Sequence, residues 1–225
     1  MAGRTLLAIP AYNEADHLPL VLAGVLQVMD ARHVLVIDDG STDGTVEAIE
    51  HLGLATLRHP RNVGKGVSLR KALRYSIEKE YDWLLCMDGD GQHDPGDVPR
   101  FLQLIARDQA DVLLGERMHQ AGRMPLQRQW SNRLSSLILS LLINNGRRLT
   151  DTQCGFRALR LSSLQPAWFR EKGFQFESEV LLVLGRRGCR IQQVPIQTRY
   201  AQEKSHITPL ADTLRFLRLI FKSLW

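Results

Sequence analysis

Trp83-Leu84-Leu85-Cys86-Met87-Asp88-Gly89-Asp90-Gly91-Gln92-His93-Asp94-Pro95 is the stretch on which the fold turns. An apolar run, Trp83 to Met87, stops at Asp88, and Asp90 follows one residue later. A short apolar run bounded by turn residues reads as a strand buried on both faces, as in a parallel sheet. Open sheets of that kind bind ligands beyond the carboxyl ends of their strands. Two carboxylates separated by one glycine at such an end can reach one hard divalent cation with oxygen ligands. Gly89 and Gly91 let the backbone turn sharply there. By itself an Asp-x-Asp is equally a polar turn. The buried strand before it, and a second acidic strand end upstream, favour the ligand site.

Outward from this stretch, strands alternate with helices. Thr5 to Ile9 reads as a strand stopped by Pro10, and a helix runs to Met29 with Asp16 or Glu14 as its cap and Pro19 in its first turn. Leu18, Val21, Leu22, Val25 and Leu26 form its apolar face. His33 to Ile37 is a second strand, ending in Asp38-Asp39-Gly40-Ser41-Thr42-Asp43-Gly44-Thr45. A short helix from Val46 to Leu52, a strand from Ala55 to Arg58 and a helix from about Val67 to Glu80 precede the organising strand. A helix from Asp97 to Asp108 and a strand from Asp111 to Gly115 follow it. This alternation means βαβ units and a mostly parallel sheet flanked by helices, an α/β fold. No linker, repeat or low-complexity tract interrupts the 225 residues, so one domain is expected.

After Gly115 the pattern changes. Glu116 to Arg128 is basic and loop-like. Trp130 to Asn145 reads as a helix with Leu134, Leu137, Ile138, Leu141 and Leu142 on its apolar side, ended by Gly146. Cys154 to Leu159 can return to the sheet, Glu177 to Arg186 is helical, and Ile191 to Tyr200 is strand-like with Pro195 marking an edge or a break. In the tail, Leu210, Leu214, Leu217, Phe221 and Leu224 share one helical face, opposite Arg215, Arg218 and Lys222. Such a helix, with Trp225 beyond it, suits either a membrane interface or ordinary packing on the domain.

A net charge of +5 fits anionic substrates, acidic membranes or nucleic acid. The basic residues are dispersed rather than gathered in one stripe, which disfavours nucleic acid. The three cysteines, Cys86, Cys154 and Cys189, lack zinc or Cys-x-x-Cys spacing and read as reduced, packed thiols in a cytoplasmic setting. The apolar stretches 18–29 and 134–143 fall short of the ~18 residues a membrane span needs.

Two familiar phosphate motifs are excluded. The loop Arg61-Asn62-Val63-Gly64-Lys65-Gly66 lacks the Gly-x-x-x-x-Gly-Lys-Ser/Thr pattern, and no Gly-x-Gly-x-x-Gly follows the first strand. That strand is followed by Pro10-Ala11-Tyr12-Asn13-Glu14. Tyr12 can stack on a base or simply pack, and Glu14 can accept from a ribose. Asp38 and Asp39 can accept from a base or a ribose, or form a turn that caps the next helix.

Taken together, Ile9 to Glu14, Val36 to Thr45, Arg61 to Gly66 and Met87 to His93 resemble the family 2 glycosyltransferases of GT-A fold. The resemblance is closest to the dolichol- or polyprenyl-phosphate mannosyl- and glucosyltransferases. It is dense over residues 1–117 and thinner to Ile207, which divides the expected domain into a nucleotide-sugar half (1–117), an acceptor half (118–207) and the amphipathic tail helix (208–225). The resemblance implies that Pro10, Tyr12, Glu14, Asp38 and Asp39 line the nucleotide pocket, with Lys65 nearby. It implies that Asp88, Asp90 and Gln92 hold Mg²⁺ or Mn²⁺ against the donor diphosphate. Arg117, in Gly115-Glu116-Arg117, would face donor or acceptor phosphate. Arg128, Ser131 and Arg199 would receive the lipid phosphate, and Asp151 with Gly155-Phe156-Arg157 would line the acceptor side. Lys204-Ser205-His206-Ile207 departs from the family's Glu-Ser-Lys-Leu segment, with His206 where a lysine is expected.

The expected activity is metal-dependent, inverting transfer of a hexose from a nucleotide-sugar to a lipid acceptor, polyprenyl phosphate first. An alcohol acceptor would need a carboxylate base, for which Asp151 is the candidate. A non-catalytic membrane-peripheral module with the same fold is the alternative from another class. A sugar nucleotidyltransferase would carry a Gly-rich, Arg-bearing loop after the first strand, absent here. The expected location is cytoplasmic, peripheral on the inner face of the membrane through 210–225.

Overall fold

The computed structural model describes residues 3–124, 126–143, 148–198 and 209–224, without the side chains of 121, 123, 209–214, 223 and 224. The first half contains β1 (Thr5–Ala11), α1 (Leu18–Val25), β2 (Val34–Asp38), β3 (Ala55–Arg58), α2 (Lys65–Glu78), β4 (Trp83–Cys86), α3 (Val98–Ala106) and β5 (Val112–Glu116). The second contains α4 (Leu126–Leu142), β6 (Arg157–Arg160), α5 (Gln175–Arg186), β7 (Ile191–Pro195) and α6 (Pro209–Leu224). The seven strands make one sheet in the order β3-β2-β1-β4-β6-β5-β7. All pairings are parallel except those of β6, which runs against both β4 and β5. This is the mostly parallel, helix-flanked sheet expected from the alternation of elements.

Topology places the site. From β1 the chain moves outward to β2 and β3, then crosses to the far side of β1 for β4. The carboxyl ends of β1 and β4 therefore flank a switch point, where loops diverge and leave a crevice. The reversal of β6 adds to it. Arg157 pairs with Cys86 of β4 and with Leu114 of β5, so the segment entering β6, residues 151–156, lies at that same edge.

The inner strands β1, β2, β4 and β5 are apolar because both faces are covered. Leu7, Ile9, Leu35, Ile37, Leu85 and Leu113 are fully buried, each worth ~1.5–3 kcal/mol of burial. Pro10 does not stop β1, which continues to Ala11. Ala8 accepts from Met87 on the β4 side and Ala11 from Asp39 on the β2 side. By alternation, Pro10's missing N–H falls on the β4 side, past the last pair of that ladder, Ala8 with Cys86. No side chain caps α1; its first turn is closed by the Glu14 carbonyl, which accepts from His17 and Leu18. The expected helix over 46–52 is 3₁₀, from Glu47 to Leu52. β7 ends at Pro195, on the sheet edge.

The second half holds the largest departure. Helix α4 begins earlier than its apolar pattern, and of the expected face only Ile138 and Leu142 pack against the core, while three leucines point outward. Leu134, Leu137 and Leu141 are 57%, 43% and 78% exposed, while Asn132, Ser135, Ser136 and Leu139 are buried. Its inner face is polar because it hydrogen-bonds the segment that enters β6: Asn132 to Asp151, and Ser136 to Thr152. In α6, likewise, Leu219 and Ile220 are buried while Leu217 and Phe221 stand out to solvent. The expected residues Gly146, Arg199, Tyr200, Lys204 to Ile207 and Trp225 lie outside the described residues, as do the side chains of Leu210, Leu214 and Leu224.

Cys86 and Cys154 are buried and Cys189 half-buried, all free. Burial pushes the Cys86 and Cys154 thiols up to about 12, so they pack as apolar groups.

Candidate active site

The carboxyl ends of β1, β2, β4 and β5, with the entry to β6, bring the candidate side chains to one edge. At its centre lies Asp88, just past the end of β4. Its Oδ1 is 2.6 Å from Lys65 Nζ, in the first turn of α2. The same ammonium lies 3.0 Å from Glu177 Oε1, in the first turn of α5. Burial works against the charge on Lys65, but Asp88 and then Glu177 outweigh it and raise its pKa. Burial likewise opposes ionisation of Asp88, and Lys65 more than reverses this, so the carboxyl stays below its ordinary value. Gly155 closes the other side of Asp88: a Cβ there would collide with the carboxylate.

Asp90 is in the opposite position. Burial, reinforced by the neighbouring Asp88 charge, pushes its carboxyl up to about 7. It accepts one bond from the Gln92 backbone N–H. Next along the loop, His93 is buried against Phe156, which stacks in turn on Phe101 with ring centroids 4.4 Å apart. Burial lowers the His93 pKa to about 4, so the ring is neutral. An isolated bridge to Thr198 ties this loop to the segment beyond β7.

At the end of β1, Pro10 and Tyr12 are half-buried. The Glu14 backbone N–H donates to the Thr45 hydroxyl at 2.9 Å, and the Glu14 carboxylate pairs with His17 Nδ1 at 2.9 Å. Asp39 orders the loop before α2, with one carboxylate oxygen on the Val63 N–H at 3.0 Å and the other on the Gly64 N–H at 2.9 Å. Asp38 is fully buried and turned into the protein, against Arg58 Nε at 3.0 Å and the Ser41 N–H. That engagement makes Asp38 a support of the turn rather than a lining residue.

Just past the end of β5, Arg117 forms a bidentate pair with Asp151. Arg117 Nε and its backbone N–H both donate to Oδ2, at 2.7 and 3.0 Å, and Nη2 donates to Oδ1 at 2.9 Å. Asn132 of α4 adds a bond to Oδ1 at 2.9 Å. Burial opposes ionisation of Asp151, but Arg117 overrides it and lowers the pKa. A carboxylate so held is a poor proton acceptor, which counts against Asp151 as a base. Arg128 and Ser131 lie on the first turns of α4, Arg128 half-buried and Ser131 exposed, with Gln153 donating to the Ser131 hydroxyl at 3.3 Å.

The family model for glycosyl transferase family 2 matches residues 7–166, more than half of the chain, from within β1 to beyond β6. The chain belongs to glycosyl transferase family 2. An undecaprenyl-phosphate mannosyltransferase of Micrococcus luteus is 33% identical over 204 residues, covering 86% of this chain and 82% of the relative. A polyprenol monophosphomannose synthase of Mycolicibacterium smegmatis is 30% identical, covering 86% and 76%. Among solved structures, the glucosyl-3-phosphoglycerate synthase of Mycobacterium tuberculosis in complex with Mn²⁺ and UDP superposes with a TM-score of 0.73 at 19% identity, covering 99% of this chain and 78% of that one.

For this family 2 glycosyltransferase the donor chemistry fits a divalent cation. Among the described residues no three His, Cys, Asp or Glu side chains form a metal cluster. Asp88 and Asp90 offer carboxylate oxygens and Gln92 a carboxamide oxygen, the donor types that a Mg²⁺-type cation takes. Burial first, and then the neighbouring Asp88 charge, raise the pKa of Asp90. Glu177 and Asn132 were not legible as site residues in the sequence. Each belongs to a helix remote in sequence, and neither sits in a local motif.

Proposed function

We propose that this glycosyltransferase moves a hexosyl group, with inversion, from a nucleoside-diphosphate sugar to a polyprenyl-phosphate acceptor, with Mg²⁺ or Mn²⁺ as cofactor. The observation that carries the acceptor class is the state of Asp151. Both its oxygens are committed to Arg117 and Asn132, so it is not poised to deprotonate an alcohol. A phosphate monoester is already an anion and needs no base. The polyprenyl-phosphate names of the curated relatives point the same way.

Asp88, Asp90 and Gln92 would hold the cation, which supplies Lewis-acid stabilisation of the departing diphosphate. Lys65 keeps Asp88 ionised and fixed in place. Arg117, aligned by Asp151, presents a preorganised positive charge to phosphate without reorganising during the reaction. Pro10 and Tyr12 would bound the nucleoside, with Asp39 shaping the loop beside it. Arg128 and Ser131 would meet the acceptor phosphate. A single displacement with no enzyme-bound intermediate inverts the anomeric centre.

The test is to incubate the full chain with radiolabelled UDP-glucose, UDP-N-acetylglucosamine or GDP-mannose, Mn²⁺ and a short-chain polyprenyl phosphate. A sugar phosphodiester of inverted anomeric configuration is expected, abolished by EDTA. Transfer to the dephosphorylated polyprenol, or hydrolysis alone, would overturn the acceptor assignment.

A further inference from the structure

Lys65 faces two carboxylates on different elements with one ammonium. Its Nζ is 2.6 Å from Asp88 Oδ1, in the loop after β4, and 3.0 Å from Glu177 Oε1, in the first turn of α5. Asp88 is a cation ligand in the reading above, so Lys65 and a divalent cation compete for it. Glu177 is 6% exposed, and its Oε1 accepts no other hydrogen bond among the described residues. A buried carboxylate is unfavourable unless a cation faces it. Lys65 is that cation.

The backbone lets only one of the two contacts change. The Gly66 N–H donates to the Lys172 carbonyl at 2.8 Å. A Cβ on Gly66 would come within 2.7 Å of the Glu171 carbonyl oxygen, and one on Gly64 within 2.6 Å of the Lys172 oxygen. Residues 171–173 therefore lie directly on the turn that carries Lys65. That segment is tied in turn to α5, where the Glu179 carboxylate accepts the Arg170 and Glu171 N–H groups at 2.9 and 3.0 Å. The Lys65 backbone and Glu177 thus belong to one braced unit, while Asp88 stands on a separate loop. The four-carbon stem of the lysine gives its ammonium the range to lean toward either carboxylate. Charge decides which. An ammonium and a divalent ion on the same carboxylate repel each other, and Glu177 is the anion already within reach.

We infer that Glu177 is a positioning residue for cation exchange: Lys65 covers Asp88 when no divalent cation is bound and is held by Glu177 alone once one binds there. The inference rests on Asp88 being a cation ligand. The ammonium is then a built-in competitor. It balances the Asp88 charge between turnovers, and its return to Asp88 favours departure of the cation with the nucleoside diphosphate.

The experiment pairs crystal structures of the full wild-type chain, without and with Mn²⁺, with Mn²⁺ affinities measured by electron paramagnetic resonance at pH 8. The affinities compare wild type, Glu177→Gln, Lys65→Met, the double variant and Asp88→Asn. With Mn²⁺ bound, the Lys65 ammonium should lie beyond hydrogen-bond distance of Asp88 and within it of Glu177. An ammonium that stays on Asp88, or turns to solvent, would overturn the inference. Without Glu177 the ammonium has only Asp88, so Glu177→Gln should bind Mn²⁺ roughly tenfold more weakly than wild type. In the Lys65→Met background the same substitution should weaken binding roughly threefold or less, since no ammonium remains to be displaced. An equal loss in both backgrounds would mean that Glu177 acts on the cation by its own charge, and would also overturn the inference. The wild-type structures decide the matter even where a variant fails to fold. Asp88→Asn separates the exchange from the ligand reading. Mn²⁺ held as tightly as by wild type would overturn that reading and the inference with it, whereas lost affinity with an unmoved Lys65 would overturn the exchange alone.

Discussion

Asp90 and Lys65 show how single residues carry the electrostatics of the site. Asp90 has its pKa raised from 3.8 to about 7, so across that window the native state binds a proton that the unfolded chain releases. Stability therefore falls as pH rises through the window. Asp90→Asn removes the effect. Without divalent cation it should melt roughly 3–6 °C above wild type at pH 8, and the two should converge near pH 4. With Mn²⁺ only wild type should gain stability, and the variant should lose turnover. A variant that gains as much from Mn²⁺ as wild type would contradict the ligand assignment. Lys65→Met leaves the half-buried Asp88 and the buried Glu177 without their counter-ion. Breaking a buried pair from one side costs about 3–5 kcal/mol. Chemical denaturation should show a loss of that order, with a large part recovered in Lys65→Met/Glu177→Leu. Equal losses in the single and double variants would show that Glu177 does not depend on the ammonium.

Among the elements, α4 departs furthest from its pattern. The periodicity of Leu134, Leu137 and Leu141 announces an amphipathic helix, and the helix is there. Periodicity says that one face is apolar and not which face meets the protein. Hydrogen-bonding demand decided that: Asp151 needs donors, and Asn132 can supply one only from the inner side. The consequence is measurable. Asn132→Ala should cost about 1–3 kcal/mol, because a buried carboxylate loses a donor. Leu134→Gln should stay within about ±0.5 kcal/mol, as exposed substitutions do. The reverse ranking would place the leucines in the core. The β4 strand is the contrasting case. Its apolar run admits one orientation, because both faces are covered and either way up is buried.

For the whole molecule, the prediction concerns coupling between loops that meet only at the sheet edge. A nucleoside-diphosphate sugar and Mn²⁺ added together should raise the melting temperature by more than the sum of their separate effects. At a hundred times Kd the ligand contribution is about 2.7 kcal/mol, roughly 5–10 °C for a chain of this size. Strictly additive shifts, read by differential scanning fluorimetry, would mean that cation and nucleotide occupy separate sites. Such coupling is possible because residues 10–14, 38–39, 65 and 88–92, far apart in the chain, all end on one side of a parallel sheet. That much was determined by the sequence alone. Short apolar runs ending in Asp specify strands, βαβ alternation makes them parallel, and parallel strands send every carboxyl end to one edge. Tertiary structure alone decided the antiparallel insertion of β6, the Lys65–Glu177 contact and the facing of α4. Each depends on which distant partner satisfies a buried charge or hydrogen bond, and local periodicity holds no record of that partner.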